Sequence, residues 1–206
     1  MKDYSVLERN LGYSFQDKKL LAHALTHSSY ASEHDLAYSE NNERLEFIGD
    51  AYLDAIIGNK LYEVMPNQPE GVLSKTRANI VCERSLATIA RNIGLGDFLF
   101  LGNGEEMYGG REKDSILADA VEAIIGAIIR ESGYDCADRV VLKLFEENIL
   151  LALQGKLYHD YKTALQEKLQ ERYKNVRIQY EPVSESGPDH RKVFTVQVKV
   201  DDVVLA

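Results

Sequence analysis

Five carboxylates in two short runs are the residues of this sequence best suited to chemistry. In Asn42–Ala51 (NERLEFIGDA), Glu43, Glu46 and Asp50 recur at intervals of three and four residues, which aligns side chains on one face of a helix. In residues 116–126 (ILADAVEAIIG), Asp119, Glu122 and Gly126 form a second thin stripe on a segment otherwise made of Ala, Ile, Val and Leu. A helix that apolar is buried on most sides. A helix dipole favours acid in the first turn, which accounts for Glu43 and extends to Glu46. It does not account for Asp50, a full turn further in, or for the second pair.

Aligned carboxylates repel one another, and isolated buried charge is costly. Protonation or Arg/Lys partners would relieve the cost. So would a hard divalent cation, because oxygen-only ligands without His or Cys suit Mg²⁺ or Mn²⁺. Gly49 and Gly126 would let the two helices approach and bring the acidic stripes together. Four to five carboxylates from two helices describe a site for metal-assisted phosphodiester hydrolysis, in which the ion lowers the pKa of a bound water. No Ser/His/Asp or Cys/His set is evident, and no GxxxxGK[ST] run cradles a nucleotide phosphate. His23 and His27 stand four apart with no third ligand nearby, so a zinc pair is disfavoured.

The elements that must position these groups are helical. Asn42 can cap a helix from about 43 to 64, with Leu45, Ile48, Tyr52 and Ile56 as its core face. Asp17 to Ala24 has helical spacing and leads into a turn at Leu25–Tyr30; residues 31–41 are polar and read as an exposed loop. Helical periodicity continues from Val72 to Asn92, from about 112 to 131, and from Cys136 to Leu153. The six glycines of residues 94–111 indicate irregular connections with a short helical turn around Phe98. After a linker at 154–159 the pattern changes. Asp160 to Tyr173 reads as a helix, Val176–Glu185 and Arg191–Val200 as strands around a Gly187-Pro188 turn, and a third strand is only begun. The expectation is a second domain cut short.

The 206 residues carry a net charge of −9, which argues against a protein that merely coats nucleic acid. The charge is unevenly placed: residues 155–206 hold nine Lys/Arg against eight Asp/Glu, and the first 154 hold fifteen against twenty-five. That asymmetry supports two modules. Cys82 and Cys136 are far apart without CxxC spacing, consistent with free thiols in a reducing compartment. The N-terminus lacks a signal-peptide core, and no apolar run approaches the roughly 20 residues of a membrane helix. A soluble, cytoplasmic protein without membrane contact is expected.

Taken together, Asn42–Ala51, Leu25–Tyr30 (LTHSSY), Gly71–Val81 (GVLSKTRANIV) and Ile116–Gly126 resemble the bacterial ribonuclease III family, in the right order across the first 150 residues. Tyr161–Gln170 (YKTALQEKLQ) and the Gly187-Pro188-Asp189-His190 loop resemble the first part of a double-stranded RNA-binding domain. The resemblance implies an all-α endonuclease domain (1–153) and, after the 154–159 linker, a small α+β RNA-binding domain of α-β-β-β-α type (160–206) that is incomplete. It lacks the final basic helix. It further implies a homodimer that cuts double-stranded RNA with Mg²⁺, or with Mn²⁺ in its place. The products would carry 5′-phosphate and 3′-hydroxyl ends with short 3′ overhangs, in processing of ribosomal and other structured RNA precursors.

By the same resemblance, Glu46, Asp50, Asp119 and Glu122 are the metal-binding carboxylates. Asp50 and Glu122 are catalytic, and Glu43 and Glu70 are further acidic positions of the cleavage valley. Phe47 would plug into a partner subunit, against the plainer reading of core packing. Lys75 and Arg77 would lie beside the substrate backbone, against a solvated helix start. Thr163, Gln166, Glu167 and His190 would meet RNA minor grooves, where such domains read A-form shape, 2′-hydroxyls and phosphates. Two other readings compete: a non-catalytic RNA-binding member of the same fold, which would tend to lose the carboxylates, and a helical phosphohydrolase acting on nucleotides, which needs a closed small-molecule pocket.

Overall fold

The computed structural model describes residues 3–157, 165, 168, 169, 171, 173, 177–187, 192–201, 203 and 204. The chain divides into two compact units, Met1–Leu157 and Tyr158–Ala206.

Among the described residues of the first unit the regular elements are helices, with one isolated β-bridge between Thr26 and Phe100. The unit's centre is the pair formed by α4, Glu43–Val64, and α8, Asp114–Ser132, which pack on each other more extensively than any other two described elements. The reason lies in two glycines. A Cβ at Gly49 of α4 would stand 1.8 Å from the carbonyl oxygen of Glu122, and one at Gly126 of α8 would stand 2.1 Å from that of Leu45. No side chain fits either gap, so backbone meets backbone. The buried stripe of α4 follows from this contact. It runs through Leu45, Gly49, Leu53, Ile56, Ile57 and Leu61, while the expected core residues Ile48 and Tyr52 are only half-buried. The apolar residues of α8 are buried almost all round, from Ile116 to Ile128.

Three smaller helices come before this pair in the chain, and the second and third are tied to the start of α4. These are α1 (Ser5–Leu11), α2 (Lys18–Ala24) and α3 (Ser28–Glu33). Asp17 caps α2 by accepting from the amides of Lys19 and Leu20. The His27 Nδ1 accepts the Ser29 amide to cap α3. The turn between α2 and α3 is tied to the start of α4: the Asn42 amide donates to the Thr26 carbonyl at 2.8 Å, and His23 Nε2 donates to the Asn41 carbonyl at 2.8 Å. Asn42 does not cap α4 with its side chain. Asn41 does so instead, its Oδ1 accepting the Glu43 amide at 3.1 Å. The 31–41 stretch is therefore less of a free loop than its polarity suggests, since Asn41 is buried and Tyr38–Glu40 forms a helical turn.

Two expected long helices are each broken in two. The 72–92 segment is α5 (Glu70–Ile80) and α6 (Glu83–Asn92), separated where Cys82 is extended at φ −66°, ψ 155°. The 136–153 segment is α9 (Tyr134–Leu144) and α10 (Glu146–Leu153), separated at Phe145, which is fully buried; α7 in this count is Asn103–Met107, inside the glycine-rich region. Neither break carries Gly or Pro, the usual punctuation of a helix end. Both are set by what the following helix buries: α6 turns Leu86, Ala87, Ile89 and Ala90 inwards and packs against α8. The first unit runs on to a buried Leu157, so its last residues lie within the stretch expected as linker.

In the second unit, β1 (Ile178–Ser186), β2 (Val193–Val200) and β3 (Val203–Val204) form an antiparallel sheet in that order. The β1–β2 register shifts between Pro182 and Ser184, a bulge at which a proline without N–H is accommodated. Glu181 reaches across to Lys199 at 2.6 Å and accepts from Gln197 Nε2 at 3.0 Å. Leu165, Lys168, Leu169 and Glu171 are helical.

Because the α4–α8 contact has no room for a methyl group, Gly49→Ala or Gly126→Ala must push the helices apart. The expected cost is about 3 kcal/mol or more, at or beyond the upper end for overpacking a core, read from the midpoint of urea unfolding. Near-wild-type stability in both variants would contradict the close contact.

Candidate metal centre

The glycine contact sets two carboxylate-bearing helix faces side by side. Glu46 comes from the first turns of α4, and Asp119 and Glu122 from α8. One ligand oxygen from each lies within 4.8 Å of the others, and all three side chains are half-buried. Among the described residues no Lys or Arg pairs with any of the three.

The electrostatic consequence is large. Burial pushes the Glu122 carboxyl up to about 8, helped by the charges of Asp50, Glu46, Asp119 and Asp54. Burial likewise raises Glu46, followed by repulsion from Asp119, Glu43 and Asp50. Asp119 is raised by burial and by Glu83, and His27 pulls it the other way. All three carboxyls are raised, Glu122 to about 8, as expected of acids clustered without a compensating positive charge. The cluster's donors are carboxylate oxygens only, at a separation one ion can span, which fits a hard divalent cation.

The other expected site residues fall in several places. Asp50 is exposed and outside the mutually close trio, although its charge acts on both Glu46 and Glu122. Glu43 is half-buried at the start of α4, and its carboxylate raises the Tyr38 phenol. Glu70 begins α5, exposed, and accepts from the Ser74 hydroxyl at 2.6 Å. Lys75 is exposed on α5, and Arg77 forms an ion pair with Asp54 at 3.5 Å. Phe47 is 77% exposed, so it is not core. It borders a groove of about 700 Å³ lined also by Leu20, Tyr38, Ile48 and Arg130. Thr163, Gln166, Glu167 and His190 lie outside the described residues.

His23 and His27 do not converge on a shared ligand. His23 serves the Asn41 carbonyl, and His27 Nδ1 hydrogen-bonds the Ser29 hydroxyl at 2.8 Å. Three residues that act on the centre were not expected from the sequence. Asp54 continues the α4 stripe four residues beyond Asp50, a spacing that could have been extended. His27 and Glu83 bear on Asp119 only through the fold, Glu83 because α6 begins anew after Cys82.

Comparison with known proteins agrees with this arrangement. Residues 17–160 match the family model described as Ribonuclease-III-like, and residues 161–206 match the Double-stranded RNA binding motif. Ribonuclease 3 of Caldanaerobacter subterraneus is 52% identical over 97% of this chain and 86% of its own length. That of Campylobacter jejuni (strain RM1221) is 48% identical over 100% of this chain and 89% of its own. A crystal structure of the Campylobacter jejuni ribonuclease III nuclease domain superimposes with a TM-score of 0.66 at 50% identity, covering 72% of this chain and 97% of that one. A second structure of that domain, with a TM-score of 0.66 at 49% identity over 71% of this chain and 98% of that one, concerns flexibility in its region of dimer formation. The chain belongs to the bacterial ribonuclease III family and is an endoribonuclease specific for double-stranded RNA.

Proposed function

We propose that Glu46, Asp50, Asp119 and Glu122 bind Mg²⁺, with Mn²⁺ able to substitute, and that this centre hydrolyses the phosphodiesters of duplex RNA. The observation that carries the reading is the trio of half-buried carboxylates within 4.8 Å of one another, with no Lys or Arg ion-paired to any of them among the described residues. When bound, the ion acidifies a water for attack and neutralises charge on the leaving oxygen. The protein's own part is to hold Glu122 and Asp119 on a rigid buried helix and to set Glu46 against them through the glycine contact. Asp50 stands exposed at the solvent edge of the centre, where it adds to the repulsion felt by Glu122. Attack of water on phosphorus with departure of the 3′ oxygen would leave 5′-phosphate and 3′-hydroxyl ends, and one offset cut in each strand would leave short 3′ overhangs.

Two cuts require two centres, and Phe47 supports a homodimer. A phenylalanine ring left 77% exposed beside a groove is covered if the same patch meets itself across a two-fold axis. Glu43 and Glu70 then line the valley between the two centres, and Lys75 and Arg77 lie by the RNA backbone. The module from residue 160, beyond the 154–159 stretch, adds groove contacts through Thr163, Gln166, Glu167 and His190. The cellular task is cytoplasmic processing of structured precursors such as ribosomal RNA.

Glu122→Gln should lower Mg²⁺-dependent cleavage of a long RNA duplex by roughly a thousandfold or more, several kcal/mol of transition-state stabilisation. Cleavage at the wild-type rate would remove Glu122 from the site.

The same variant should change how stability depends on pH. A glutamate near 8 in the folded chain and near 4.5 unfolded binds more protons when folded. It therefore destabilises the metal-free protein progressively as pH rises from 4.5 to 8. Discounted for partial exposure, the effect is on the order of 1 kcal/mol, about 2–4 °C in Tm for a chain of this size. Metal-free Glu122→Gln should therefore gain over wild type at pH 8 and not at pH 4.5; a gap that does not vary with pH would refute the shift.

Phe47→Asp should sediment as a monomer, and an unchanged dimer would count against the interface.

A further inference from the structure

Asp54 lies one helical turn beyond Asp50 on α4 and stands outside the mutually close carboxylates. It faces α5, where the Arg77 Nε lies 3.5 Å from its Oδ1. The same arginine is laid along the surface of α4: a Cβ at Gly58 would be 3.7 Å from both its Cδ and its Nη1. The two side chains are 40% and 41% exposed, and a pair that wet contributes little to folding stability. Its consequence is geometric. A guanidinium spreads its charge over three nitrogens on a planar group, and with Nε in ion-pair contact with Asp54 the Nη groups have no other ion-pair partner among the described residues. The charge of Asp54 is felt at Glu122, so the pair sits within electrostatic range of the centre. Pairing also lets a cation stand there without adding net positive charge beside a metal site.

We propose that Asp54 is a positioning residue, holding Arg77 by its Nε edge so that the Nη edge meets a backbone phosphate of the strand being cut. This rests on the reading of Glu46, Asp119 and Glu122 as the cleavage centre. A lysine at position 77 would keep the charge but has no second edge to be held by.

The test is a double-mutant cycle on the full chain, with Mg²⁺ and an RNA duplex, reading KM, kcat and salt dependence. Arg77→Ala should raise KM roughly tenfold, the scale of one charge-assisted hydrogen bond, with kcat nearly kept. It should also flatten the salt dependence by about one phosphate contact. Asp54→Ala should raise KM in wild type and have no further effect in the Arg77→Ala or Arg77→Lys background, and Asp54→Glu should restore part of the loss. Melting temperatures of all variants should stay close to wild type. The proposal is overturned if the Asp54→Ala defect is equally large without Arg77, if it appears in kcat rather than KM, or if it tracks a loss of Tm. Additive Asp54 and Arg77 effects, with Glu122→Gln inactive, would sink the positioning role alone. Full cleavage by Glu122→Gln would sink the assignment of the centre on which it rests.

Discussion

The contact of backbone on backbone between Gly49 and Gly126 is the constraint on which the rest of the first unit depends. With Cβ positions only 1.8 and 2.1 Å from opposing carbonyl oxygens, α4 and α8 lie as near as helices without intervening side chains can. Residues just before and after each glycine are brought together as a result. Glu46 precedes Gly49 by one turn and Glu122 precedes Gly126 by one turn. The carboxylates meet because the glycines do. The remaining helices keep this pair aligned, α6 by covering α8 and the α2–α3 turn by pinning the start of α4 through Thr26 and His23.

That assembly works against stability. Three half-buried acids at one end of a core lose hydration and repel each other, and burial with that repulsion pushes the Glu122 carboxyl up to about 8. A fold selected for stability alone would place apolar residues at 119 and 122, as it does at neighbouring positions of α8. Strongly shifted groups clustered at one place mark functional sites, and these three carboxylates could hold a metal ion. The surroundings are tuned to the same end. Asp50 stays exposed, Asp54 is matched by Arg77, and His27 lowers Asp119 against the burial that raises it.

Much of this could be read from spacing. The bounds of α4, the buried character of α8, the two glycines and the aligned carboxylates all follow from helical periodicity, and resemblance to the family supplied the roles. What escaped was set by tertiary packing. The breaks at Cys82 and Phe145 carry no Gly or Pro and exist because the segments after them bury different faces. The α4 core stripe runs through Gly49 rather than Ile48, since the tight helix contact draws that side inwards. The capping of α4 by Asn41 rather than Asn42 depends on the α2–α3 turn packed against it. The Asp54–Arg77 pair joins residues from two helices and has no local signature.

If the close approach of α4 and α8 builds a site that takes a divalent cation, Glu122, raised to about 8 without the ion, must give up its proton when the ion binds. Titrating metal-free protein with Mn²⁺ calorimetrically at pH 6.5, in two buffers of different ionisation enthalpy, tests it directly. Binding should release about one proton per site, because the ligand must deprotonate to coordinate. Binding with no proton release would contradict the account.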